Sequence, residues 1–113
     1  MTLGVEMMNA ERELIQTRRR RGTMLKFVRQ GHEAQLSRMD DFEVFAMMQE
    51  LGHTMGRDQV ITMLQDLKVL GYLDFKQKVN ELSGRTEISE IELTAMALGV
   101  VIRRKSNDDV LID

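Results

Sequence analysis

The chain reads as mainly α-helical with one small β-hairpin, an α+β fold over a single domain, residues 1–113. Three observations carry that reading. Apolar residues recur at threes and fours in successive segments, alternation replaces that period after Gly71, and glycines stand where the periodic segments stop. A chain of 113 residues supports one core and is too short for two. At 42% hydrophobic and 30% charged it has the composition of an ordinary globular protein. It contains no proline, and only 4% of it is aromatic, which favours helix.

Residues 1–9 carry no strong pattern and read as a frayed arm or a first turn that docks on the core. Asn9 is a good N-cap type, and Glu11 and Glu13 follow where a helix dipole favours acid, so a helix is expected from Ala10. It runs through the basic stretch Arg18–Arg21 to Gly22, making residues 1–22 a basic N-terminal arm or helix. A second apolar stretch follows, with Met24, Leu25, Phe27 and Val28, ending near Gly31. Whether 10–31 is one helix or two turns on Gly22, which costs only about 1 kcal/mol inside a helix. Residues 32–39 read as a linker, with Ser37 or Asp40 as the next cap. Val44, Met48 and Leu51 share one helical face, and Gly52 ends that helix.

After a short turn, Val60, Met63, Leu64, Leu67 and Leu70 form a third apolar stripe, stopped by Gly71. The period then changes to two. Leu73, Phe75 and Val79 fall on one face and Asp74, Lys76 and Lys78 on the other. Turn formers fill residues 80–85, and Thr86 to Leu93 alternates again, less cleanly, through Ser89, Ile91 and Leu93. This is an antiparallel hairpin with a longish loop. Thr94 is a good N-cap for a last helix, and residues 106–113 form an acidic tail that either docks or hangs loose.

The totals narrow the function classes. There are no cysteines, which removes disulfides and thiolate zinc sites. No apolar stretch is long enough to span a bilayer, and no apolar segment follows a basic start as in a signal peptide, so a cytoplasmic protein without a membrane partner is expected. The net charge is -2, but its distribution is uneven. Residues 1–38 carry eight Lys/Arg and four Asp/Glu, residues 39–102 carry five and eleven, and residues 103–113 carry three of each. Catalysis has little support: His32 and His53 are the only histidines, and no nucleophile or phosphate-cradling glycine loop accompanies them. No enzyme activity, metal or cofactor is expected.

The order helix, helix, tight turn, helix, hairpin, helix follows from periodicity alone. More specific is the run Leu64-Gln65-Asp66-Leu67-Lys68-Val69-Leu70-Gly71-Tyr72-Leu73. With its two leucines three apart, a glycine four later and an apolar pair opening a strand, it resembles the third helix and first wing strand of winged helix-turn-helix regulators of the MarR and ArsR type. Asp41–Gly52 is similar to their preceding helix, and Ile91-Glu92-Leu93-Thr94 to their second wing strand and next helix start. In many relatives a glycine follows that threonine after two residues, whereas here four residues precede Gly99. The resemblance covers about residues 23–105 and extends to small phage-type members. It implies a three-helix core plus wing with flanking N- and C-terminal helices, and a function in binding double-stranded DNA as a transcriptional regulator or accessory factor.

Under that resemblance the third helix is the one that enters the major groove. Its outward set includes Arg57, suited to guanine, Gln59, suited to adenine, and Thr62 and Gln65. Lys76, Lys78 and Arg85 are the wing contacts, and Arg18, Arg19, Arg20 and Arg21 the backbone contacts. Asp58, Asp66 and four wing glutamates oppose these attractions. Met7, Met8 and Met24 mark a candidate homodimer surface. The rival class is a winged-helix protein-interaction module in a phage or multi-subunit assembly, without direct DNA contact, using the acidic middle of the chain.

Overall fold

The computed structural model describes residues 2–34 and 39–112, with the side chains of the first helix described from Glu6 onward. Six elements follow in order: α1 (Thr2–Glu33), α2 (Asp41–Glu50), α3 (Arg57–Val69), β1 (Leu73–Val79), β2 (Thr86–Leu93) and α4 (Ala95–Arg103). Among the described residues the architecture is α+β, four helices and one two-stranded antiparallel sheet. Residues 10–31 lie within one helix that Gly22 does not interrupt, and residues 2–22 are its N-terminal part. At 1.5 Å per residue its 32 residues span about 48 Å.

Local chemistry sets the boundaries. Asp40 caps α2, its carboxylate accepting from the Glu43 amide at 2.9 Å; Ser37, the other expected cap, lies outside the described residues. Gly52 (φ +83°) and Gly71 (φ +90°) end α2 and α3 in the left-handed region that glycine enters without a Cβ penalty. At both, the amide two residues past the cap reaches back, His53 to the Met48 carbonyl and Tyr72 to the Leu67 carbonyl, each at 2.9 Å. Thr94 caps α4 by accepting from the Ala97 amide, and its hydroxyl donates to the Gly71 carbonyl at 2.6 Å. One side chain thereby joins the end of α3 to the start of α4.

The core forms around the second half of α1. Met24, Leu25 and Val28 are buried there against Val44 and Met48 of α2, and Val60, Leu64 and Leu67 of α3. Leu73, Phe75, Ile88 and Ile91 of the hairpin base close it from the far side. The register explains the uneven alternation of the second strand. Asp74 pairs with Glu92 but Lys76 pairs with Ser89, so β2 carries one extra residue, and Glu90 takes φ +53° in that bulge. The buried strand residues are therefore Ile88 and Ile91, three apart, rather than the expected Ser89, Ile91 and Leu93 series. Val79, expected on the inner face, is exposed because the hairpin has left the core by that point.

The tail docks. Val110 and Ile112 are buried, and the Leu111 amide donates to the Arg18 carbonyl of α1 at 3.0 Å. A methyl group at residue 22 would meet the Leu111 carbonyl, so Gly22 is the gap that lets the tail backbone lie on α1. By contrast, Glu6 to Gln16 are all exposed, and this half of α1 projects beyond the core. Among the described residues no helix is long and apolar enough to cross a membrane.

Candidate nucleic-acid interface

The residues expected to meet DNA do not form one surface. Arg57 opens α3, but its guanidinium turns to α2, 3.3 Å from the Asp41 carboxylate and 5.9 Å from the Phe42 ring centroid. Asp41 is 3% exposed, so this ion pair partners a buried carboxylate and ties the first turns of α2 and α3 together. Gln59 accepts from the Gly56 amide at 2.8 Å and so closes the start of α3. Gln65 donates to Gln77 across to β1 at 3.2 Å. Thr62 is exposed and has no side-chain partner among the described residues.

The hairpin cations face carboxylates on the neighbouring strand. Lys76 lies 2.7 Å from Glu90, and Lys78 lies 3.6 Å from Glu87. Glu87 is held below its ordinary range first by the hydrogen bond from Asn80, at 2.9 Å, and then by Lys78. Arg85 is exposed beside Gly84 at the hairpin turn, where Asn80 accepts from the Leu82 and Ser83 amides to shape the loop. Residues 57–93, which hold α3 and the hairpin, carry five cations against seven carboxylates.

The Arg18–Arg21 run splits around the helix, as successive residues at 100° must. Arg18 donates to the Asn107 carbonyl and Arg21 to the Asp109 carbonyl, so both grip the tail. The Tyr72 hydroxyl completes that grip, donating to Asp109 at 2.9 Å and accepting from Asn107 at 2.8 Å. Burial, and then Asp109, raise the Tyr72 pKa above its usual value. Arg20 turns to the other side and donates to the Thr54 carbonyl in the α2–α3 turn at 3.1 Å. The Nε atoms of Arg18, Arg20 and Arg21 are buried without hydrogen-bond partners among the described residues.

Arg19 belongs to a different set. It lines a groove between α1 and the end of α2 together with Arg12 and Gln16 on one side and Thr23, Lys26 and Gln30 on the other. Leu51 and His53 form the opposite wall along the whole groove, and Phe27 and Met47 line its inner part. The His53 pKa is lowered by burial first, then by Arg20 and Arg19, which marks the positive field there. A reading centred on four consecutive arginines missed this set, although Arg12, Arg19 and Lys26 stand seven residues apart and that spacing alone puts them on one helix face.

Residues 12–30 carry seven cations and one carboxylate, Glu13, so the positive charge of the molecule is concentrated on α1 rather than on α3 or the hairpin. His32 and His53 line separate depressions, and among the described residues no three His, Asp or Glu side chains are grouped to hold a metal ion. No family model, curated protein or solved structure matches the chain.

Proposed function

We propose that the chain is a winged-helix protein that binds double-stranded DNA, as a transcriptional regulator or accessory DNA-binding factor. The observation that carries the reading is the unbroken unit α2, tight turn, α3, antiparallel hairpin, in which the polar face of α3 is left uncovered. Asp58, Gln59, Thr62 and Asp66 are all exposed on it, and among the described residues Asp58, Thr62 and Asp66, with Arg85 at the hairpin turn, have no side-chain partner. A helix presenting such a face fits the major groove, and a hairpin beside it fits the adjoining backbone. Asp58 and Asp66 set a limit: carboxylates on this face repel phosphates, so α3 contributes selectivity more than affinity, and affinity rests on cations elsewhere.

The test is equilibrium binding of the full chain to a fluorescent random-sequence duplex. Binding at low salt that weakens steeply as salt rises, and loses strength in Arg85→Ala, supports the reading; absence of binding at low salt rejects it.

A second reading, a protein-assembly module, is favoured by one specific feature. On the projecting half of α1, Met7, Met8, Leu14 and Ile15 are 62%, 64%, 57% and 51% exposed. Pairs 7/14 and 8/15 recur every seven residues, which makes an apolar stripe suited to a second helix of the same or another chain. Sedimentation of the free protein distinguishes the cases, since self-association abolished by Leu14→Glu favours assembly through this stripe.

A further inference from the structure

We infer that the main phosphate-binding surface of this protein is the face of α1 bearing Arg12, Gln16, Arg19, Thr23, Lys26 and Gln30, and that its occupant is the sugar-phosphate backbone of a nucleic-acid duplex. The inference rests on the DNA-binding reading above and relocates its electrostatic anchor from the recognition helix and wing to the first helix.

Geometry supplies the first argument. Positions 12, 16, 19, 23, 26 and 30 step by four and three, so they form one continuous row on a straight helix. All six line the two adjoining depressions that make up the groove beside α2. The row is about 27 Å long and its three cations stand about 10.5 Å apart. With one phosphate per about 3.4 Å of axis on each strand, it matches roughly eight base pairs of duplex.

Chemistry supplies the second. The row carries three cations and two glutamine amides and no carboxylate, the pattern of backbone-positioning contacts rather than base readout, while its Thr23 hydroxyl donates to the Arg19 carbonyl at 2.9 Å. A face that is merely solvated carries both signs. Among the described residues Glu13 is the one carboxylate lining the groove, set against Arg12, Arg19 and Lys26. The His53 pKa at the middle of the groove is lowered by burial first and then by the charges of Arg20 and Arg19. The fold supplies the third: the groove wall includes Gly52 and His53, and α3 begins at Arg57, so a duplex on the row is delivered to the first turn of α3.

The test compares salt dependence among variants of the full chain on one random-sequence duplex. Removing the three cations in Arg12→Gln/Arg19→Gln/Lys26→Gln should make the slope of log K against log salt shallower by about 2.7, at about 0.9 per phosphate contact. The double variant Arg12→Gln/Lys26→Gln, which leaves Arg19 and its packing intact, should lose about 1.8. Arg103→Ala/Lys105→Ala, which removes two cations from the end of α4, should leave the slope unchanged. A loss in Arg103→Ala/Lys105→Ala equal to that of the double variant, since each removes two cations, would reduce the effect to net charge and overturn the assignment. Wild-type binding whose slope survives the triple substitution would overturn the assignment while leaving the DNA reading standing. A wild-type chain that binds no duplex at low salt would overturn both.

Discussion

Arg57 shows how a residue type suited to one task is taken up by another. At the start of a helix after a tight turn, an arginine matches the chemistry of guanine recognition. Its partner, Asp41, is sixteen residues away and buried by tertiary packing, which no local pattern reveals. Arg57→Ala is therefore expected to destabilise the fold by about 1–3 kcal/mol by stranding a carboxylate, as read from chemical denaturation. Gln59 is also taken up by a structural task, but its capping bond to Gly56 is an i, i+3 relation that the sequence does contain. His53 gives a direct residue-scale prediction. Its proton NMR midpoint should lie below the ordinary histidine value and move up towards it in Arg20→Ala, where one of the two guanidinium charges is gone. A lowered folded-state value means that the unfolded chain binds the proton more readily. Stability is thus lost as pH falls from neutral through the ordinary value of 6.5 and levels off below the folded value.

Among the elements, those with an uninterrupted period were legible, and those shaped by distant partners were not. Helices α2, α3 and α4 stand where apolar spacing, Asp40, Thr94, Gly52 and Gly71 put them. The second strand resisted because its bulge at Glu90 shifts the inward face by one residue, a change set by packing of Ile88 and Ile91 rather than by any turn former. The glycine at 22 reads from sequence as a possible break. In the fold it is a contact point, and the tail that explains it is about ninety residues away. Gly22→Ala should therefore displace the tail and cost about 1–3 kcal/mol, the range for forcing extra atoms into a packed site. Because deletion of residues 110–112 removes the same docking, the two changes combined should cost clearly less than their sum in a double-mutant cycle. Additive costs would show that Gly22 serves something other than the tail.

For the whole molecule, the charge asymmetry was visible in the sequence, but its arrangement was not. Four adjacent arginines look like one patch in a line of letters. On a helix they diverge, two to the tail, one to the α2–α3 turn and one to the groove. The acidic middle of the chain likewise turns out to neutralise its own lysines across the hairpin. What remains is a molecule with a predominantly cationic first helix, an uncovered α3 and an apolar stripe on the projecting end of α1. In the proposed function, duplex DNA is bound through the first two of these. The most direct measurement is amide NMR of the 15N-labelled full chain titrated with a short duplex. Shifts are expected along residues 12–30 of α1, in the first turns of α3 and around Arg85. Shifts absent throughout, or confined to the stripe from Met7 to Ile15, would contradict it.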